Sequence, residues 1–376
     1  MEEGGIAITF LVLIALVGVG VFFVTKNSVI ELSPEDNLEG CNVLQQNGEG
    51  VDILFFSGEE DARGYMDYFL DSSPFDKQKD SFNFFFIDEY EPECELYAGE
   101  VLYCNSKEIV KRASSCPNDY IVVLDERPTD IRSSAYLNIM SINTNHPLTV
   151  FLHEWGHVFA SFAEEYVDDS AKIPRSAKNC VKSCENFGEE VECFEGCTKS
   201  TFVRSIANGV MRTLSSEEFG AFSEGVLLER IREESDIDFL ITGDVVEGDY
   251  GKCIEEEYYL IRLDSSGDLS VVSEGIGCAG KFGVGDTQFN LLDDENFISM
   301  EGSFNNKFIF TTNPFDKEEF RTFEVEEPVF FKILKTEENK KIVIEDFDGE
   351  VLGSMTLGGV TNRPELLLYN EEVLNG

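Results

Sequence analysis

The sequence predicts a mixed α/β (α+β) half followed by an all-β, sandwich-like half, and three observations predict it. Strand-like and helix-like segments alternate between residues 51 and 125. An apolar helical stretch after Pro147 carries His153 and His157. Residues 237–376 break into short β-type runs between Gly, Asn and Asp turns. With 376 residues, 42% of them hydrophobic, the chain has enough material for more than one core. Its 73 acidic residues against 29 basic ones give a formal charge of -44. That balance argues against binding to nucleic acid, which needs Lys and Arg to displace counterions from the backbone.

The first element is an uncharged run of 19 residues, Ile6 to Val24, broken only by Thr9 and the small Gly18 and Gly20. At about 1.5 Å per residue a helix of that length spans roughly 28 Å, close to the hydrocarbon thickness of a bilayer. Residues 1–26 are therefore expected to form a transmembrane helix or signal anchor that joins the protein to a membrane, with a cleaved signal peptide as the alternative. The lone Lys26 after the run would favour a cytoplasmic location for the rest of the chain. The ten cysteines, an even number behind a membrane-targeting start, favour an oxidising, extracytoplasmic one, and this is the expectation kept. Residues 27–48, polar and containing Pro34, Glu35, Asp36 and Asn37, read as a linker.

From residue 49 to 233 the pattern is that of one domain. Val51 to Phe56, Phe82 to Asp88 and Tyr120 to Asp125 read as strands, the last with a near-continuous apolar run suited to burial on both faces. Glu59 to Leu70 and Asn105 to Ala113 read as helices, and Ala135 to Ile142 as one further strand before the His153 helix. Cys180, Cys184, Cys193 and Cys197 suit a hairpin closed by Cys180 to Cys197 and Cys184 to Cys193, and a four-thiolate zinc site is the rival reading. The charged run at 232–236 reads as a boundary. Beyond it, Glu257 to Leu263, Lys307 to Thr312, Pro328 to Leu334 and Lys341 to Ile344 suggest a β-rich accessory domain over 237–376, with Cys253 and Cys278 placed to staple it.

The chemistry is concentrated in His153-Glu154-Trp155-Gly156-His157. Two imidazoles at i and i+4 stack on one helical face, and the Glu beside the first can reach a water held by a metal between them. The chain has only three His, and two are here. Pro147 is suited to the first helical position, and Leu148, Val150, Phe151, Leu152, Val158, Phe159 and Phe162 can bury the helix. The third, His146, lies two turns away and reads as a loop or cap residue. Zinc is the expected cofactor, and two His leave it short of the usual three protein ligands. Six residues after His157 stands Ala163, so a strict metzincin motif fails, and the nearest carboxylates are Glu164 and Glu165. A straight helix would carry residue 164 about 10 Å along the axis from His157, so the chain must turn after about residue 160.

The run His-Glu-Trp-Gly-His followed by Ala163-Glu164-Glu165-Tyr166 resembles the signature of the IgA-peptidase family of secreted zinc metallopeptidases, His-Glu-x-Gly-His, a short spacer, then Asp-Glu-Tyr. The resemblance extends to Val51 to Phe56, to Ser73-Pro74-Phe75 with Phe82-Asn83-Phe84, and to Tyr120 to Leu124. Downstream it takes in Asn208 to Leu214, Phe219-Gly220 and Ala221 to Ile231, so it covers roughly residues 50–233. It implies a zincin-like metallopeptidase domain with His153 and His157 as zinc ligands, Glu154 as general base, and a third ligand from the acidic pair. Glu165 is favoured there because it matches the family's Glu, with Glu164 as the alternative. The resemblance also implies Met211 as a Met-turn floor, and Tyr166 as a loop-orienting or transition-state residue. Two departures stand out: Ser161 occupies a spacer position where the family carries Gly, and Glu164 stands where it carries Asp. If that Gly serves a left-handed turn, Ser makes the turn harder.

The function expected is therefore membrane-anchored, zinc-dependent hydrolysis of a protein or peptide substrate. The alternative is a non-catalytic surface protein with a structural zinc site and a partner-binding β-domain. A structural site is closed by four protein ligands, whereas a catalytic one keeps a position open.

Overall fold

Strands that are apolar on both faces need cover on both, and that requirement organises the first half of the chain. The structure, a computed structural model, describes residues 40–236 except 89, 98, 189 and 190, together with 253 and 256–357 except 281–284, 305–308, 312–321 and 325–327. The uncharged run at 6–24 lies outside the described residues, and none of the described helices is long and apolar enough to cross a membrane.

The first half contains β1 (Asn42–Gln45), β2 (Val51–Phe56), α1 (Glu59–Asp71), β3 (Phe82–Ile87), β4 (Glu95–Tyr97), β5 (Val101–Tyr103), α2 (Lys107–Ala113), β6 (Tyr120–Asp125), β7 (Ser134–Tyr136), β8 (Ile139–Asn143) and α3 (Thr149–Ala160). After these come β9 (Phe194–Cys197), β10 (Lys199–Arg204) and α4 (Ala221–Asp236). One six-stranded sheet runs in the order β1-β3-β2-β6-β8-β7, parallel through β3, β2, β6 and β8 and antiparallel at both edges. Alternate residues of β2 face opposite ways. Val51, Ile53 and Phe55 join the core that holds α1, α3 and α4, whereas Leu54 and Phe56 join the core that holds α2.

Two expectations need correction here. Residues 42–45, read as linker, form the edge strand β1, and Cys41 is bonded to Cys116. Ala135 to Ile142 is not one strand but the hairpin β7–β8, with Tyr136 paired to Ile139. Its tight turn puts Leu137 at φ 54, so the reversal lacks the Asn-Gly or Gly signal that would have marked it. The charged run at 232–236 forms the last turn of α4, which ends at Asp236 where the described residues break off. Buried Glu234 accepts from Tyr120 of β6 at 3.2 Å and pairs with Arg230 at 2.6 Å, which gives an acidic residue a reason to stay helical and inside.

The second half adds β11 (Glu257–Leu263), β12 (Leu269–Ile276), β13 (Thr287–Leu292), β14 (Ile298–Phe304), β15 (Ile309–Thr311), β16 (Thr322–Glu324), β17 (Val329–Leu334), β18 (Lys341–Asp346) and β19 (Val351–Thr356). A sheet β12-β11-β17 and a sheet β14-β13-β18-β19 face each other across Ile261, Phe331, Ile333, Phe289, Leu291 and Ile344, as a sandwich. The outer face of β11 is not left to solvent. Tyr258 and Leu260 pack with Leu54, Ile121 and Ile109 of the first half, so the sandwich is fused to the α/β layer rather than tethered to it.

All ten cysteines are paired, as Cys41–Cys116, Cys94–Cys104, Cys180–Cys197, Cys184–Cys193 and Cys253–Cys278. The pairings expected from spacing are present, and the four-thiolate metal site is excluded. The hairpin at 180–197 is built on a short 3-10 turn, Cys184–Phe187, and the strand β9. Five disulfides mark an oxidising, extracytoplasmic environment.

Candidate metal centre

The helix α3 is divided by its sequence into a wet face and a dry face. Trp155, fully buried, points into the core and packs on Phe159 at 4.8 Å, Tyr120 at 4.9 Å and Phe69 at 5.1 Å between ring centroids. His153 and His157, half a turn away, face a cleft of about 740 Å³. The helix starts at Thr149, two residues after Pro147, with Val150 N–H on the Pro147 carbonyl. Gly156, before His157, leaves room for Met211: a Cβ there would lie 2.5 Å from the Met211 sulfur, so a larger residue would force that side chain to shift.

Met211 is thus packed directly beneath the motif, and the segment around it holds the site by backbone. The Val210 carbonyl accepts from His153 Nδ1 at 2.9 Å, and the Met211 carbonyl accepts from the Glu165 amide at 2.9 Å. The Phe162 carbonyl accepts from His157 Nδ1 at 2.7 Å. A ring that donates from Nδ1 turns a lone pair outward at Nε2 when neutral. The two Nε2 atoms stand 3.2 Å apart.

The turn that sequence arithmetic demanded occurs at Ser161, which caps the helix in the left-handed region at φ 53 and ψ 32. The chain then doubles back, and successive side chains point opposite ways. Glu164 Oε2 lies 3.3 Å from His153 Nε2, and Glu164 Oε1 lies 3.3 Å from His157 Nε2. Glu165, the favoured third ligand, is turned into the core instead. Its Oε1 accepts from Asn179 at 3.3 Å, and its Oε2 abuts Gly209, where a Cβ would sit 3.2 Å away. The alternative, Glu164, is the carboxylate that the fold brings to the rings. His153, His157 and Glu164 form a group that could hold a metal ion, with ligand atoms all within 4.8 Å of one another. The donor set fits: two imidazole nitrogens and a carboxylate oxygen converge from one side.

The electrostatics follow from this proximity. Burial opposes charge on His153, but Glu164, with lesser help from Glu154 and the Val210 carbonyl, lifts its pKa to about 9. Burial also opposes charge on Glu164, yet the two histidines hold it well below the usual carboxylate range. Glu154, buried at the cleft wall, is pushed up by burial, with both histidines pulling the other way. Burial drives Glu165 up to about 8, as suits a carboxyl kept neutral in a structural role.

The hairpin closed by two disulfides serves as a brace for the ligand loop. Thr198, next to Cys197, donates its hydroxyl to the Glu164 carbonyl at 2.5 Å and its amide to the Tyr166 carbonyl at 3.0 Å. Asn179, next to Cys180, holds Ala163 by both its amide and its carbonyl at 2.8 Å. Tyr166 belongs to this braced loop and is not among the residues lining the cleft. His146 bonds the Thr129 carbonyl in the preceding turn.

Sequence reasoning missed the sandwich's share of the cleft. Asp286, Asp346, Phe347 and Leu352 of the sandwich line the same cleft as the metal group and as Ser134 to Tyr136 of the edge strand β7. No local pattern could have announced them, because a residue in a turn or at a strand end looks the same whether it faces solvent or a cleft. No protein-family model and no curated protein matches the chain.

Proposed function

We propose that this protein is a membrane-anchored zinc endopeptidase with its main part outside the cytoplasm. One observation carries the reading: two Nε2 atoms and a carboxylate converge on one wall of a wide cleft, with Glu154 beside them on the same helix. Such a three-ligand group leaves a coordination position open, whereas a structural zinc site is closed by four. The resemblance of the motif to the IgA-peptidase signature points the same way.

His153, His157 and Glu164 would hold the ion, and the Val210 and Phe162 carbonyls would fix the ring tautomers. Zinc bound there supplies Lewis acidity, which lowers the pKa of water towards about 7 and polarises a carbonyl. Glu154 accepts a proton from the attacking water and returns it to the leaving amine nitrogen. The edge strand β7 offers backbone groups along which an extended peptide can add as a further strand.

The test is metal analysis of the purified full chain, followed by digestion of an unfolded protein mixture with and without a chelator. Glu154→Gln is expected to keep the metal and lose roughly 10²–10⁴ in turnover. Glu164→Gln is expected to lose metal affinity, while Glu165→Gln retains it. Full peptidase activity in the Glu154 variant would overturn the reading, as would a wild-type chain that binds no metal.

A further inference from the structure

We infer that Asp286, on the sandwich, is a positioning residue for the metal group, acting through Ser176 on the left-handed turn at Ser161; this rests on the metal reading above. A serine at φ 53 sits in a region that disfavours a side chain, and this is the turn on which delivery of Glu164 to the rings depends. Something must hold it there. Ser161 is almost wholly buried, and its hydroxyl lies 2.7 Å from that of Ser176.

Ser176 in turn reaches across to the sandwich. Its hydroxyl donates to Asp286 Oδ1 at 3.0 Å, and its amide donates to the same oxygen at 3.0 Å. The amide of Arg175 donates to Asp286 Oδ2 at 2.8 Å. Because the Ser176 proton goes to the carboxylate, Ser161 must be the donor between the two hydroxyls. The chain therefore runs one way, from Ser161 O–H to Ser176 O–H to Asp286, and a charged terminus strengthens each link. It joins the residue immediately before β13 to the C-cap of the helix that carries both histidines. The exposed Arg175–Asp348 pair at 2.6 Å lies alongside and is expected to add little. The sandwich is thereby more than a wall of the cleft: it holds the third ligand's turn closed. With glycine in place of Ser161 the same turn would need no such support.

The experiment is a zinc titration of the full chain against a competing chelator, with cobalt substitution to read coordination from the visible spectrum. Asp286→Ala is expected to weaken zinc binding by about 10–100-fold, the range typical of residues that orient ligands, and to shift the cobalt bands. Ser161→Gly is expected to bind zinc as the wild type does. In the Ser161→Gly background, Asp286→Ala should then cost less than about threefold, since the two positions act in one chain. Ser176→Ala leaves both amide bonds to Asp286 in place and should reproduce the loss, so it serves if Asp286→Ala does not fold. Unchanged zinc affinity in Asp286→Ala or Ser176→Ala overturns the inference, as does an equal loss in the wild-type and Ser161→Gly backgrounds. A wild-type chain that binds no zinc overturns the metal reading and this one with it, whereas zinc binding indifferent to these variants overturns this one alone.

Discussion

The two faces of the central sheet are built differently. On the face that carries α3, the core is aromatic: Phe69, Phe75, Phe82, Phe84, Phe151, Trp155 and Phe159 pack as edge-on and stacked rings. On the other face it is mainly aliphatic, with Leu54, Ile87, Ile109, Val110, Ile121 and Val123, and the cover there comes from α2 and the outer face of the sandwich. That second face is also where covalent staples gather, since Cys104 and Cys116 lie in it and Cys41 and Cys94 pack against it. The metal helix thus rests on a layer that contains no cysteine and is dominated by ring packing, with disulfides only in the hairpin that braces the ligand loop, while the layer that joins the two halves contains disulfides itself. The contrast implies that insult to one face should reach the metal and insult to the other should not.

The strongest way to break that contrast is Trp155→Ala. The ring is fully buried between the two motif histidines in sequence and contacts three other aromatic residues closely, so truncation should cost about 3–5 kcal/mol in urea unfolding. Because it shares a helix with His153 and His157, zinc affinity should fall as well. A stability loss with no change in zinc affinity would show that α3 is held by something other than this layer.

A smaller effect is expected on the opposite face. Replacing Cys41 and Cys116 together by Ala removes a bond spanning 75 residues, a loop for which chain entropy implies about 4.5 kcal/mol, with measured cases commonly about 2–4. Zinc affinity should be unchanged in this variant under conditions where it remains folded. If affinity fell as far as in Trp155→Ala, the two faces would be one cooperative unit and the comparison would collapse.

How much of this was legible beforehand depends on whether the information was local. The strand Val51–Phe56 and the helix Glu59–Asp71 were readable because continuous apolar runs and helical spacing are properties of neighbours. The turn after Ala160 was readable from the helical rise alone, and Ser161 does take the left-handed conformation that a Gly would have taken freely. The choice between Glu164 and Glu165 was not, since both are acidic and only the direction in which the chain returns decides which faces the rings. The strands β12 and β14 were missed because their residues are mostly exposed or half-buried, so no alternation of apolar positions marks them. The share of the cleft taken by Asp286 and Phe347 was unreadable for a different reason: it exists only once the sandwich is docked.

An effect that appears only as a change with pH sharpens the comparison at the seam between the halves. Lys332 of β17 is 4% exposed, with Nζ donating to the Cys278 carbonyl at 2.6 Å and lying 3.5 Å from Asn118 Oδ1 and 5.7 Å from the Tyr258 ring centre. Burial without a carboxylate lowers its pKa from 10.5 to about 7. From about pH 7 to 10.5 the unfolded chain then holds a proton that the folded chain lacks. This group therefore makes stability rise with pH across that window, by up to about 1.4 kcal/mol per unit, and its penalty is greatest below pH 7. His153 and Glu165 have raised values, about 9 and about 8, and pull the other way as pH rises towards them. The informative quantity is accordingly the difference between wild type and Lys332→Met, followed by urea unfolding from pH 7 to 9.5. The variant should gain on the wild type as pH falls, and should do so with zinc affinity intact, because the lysine lies on the stapled face. Parallel curves would mean that Lys332 keeps its charge in the seam, and that the joint between the halves is wetter than its burial indicates.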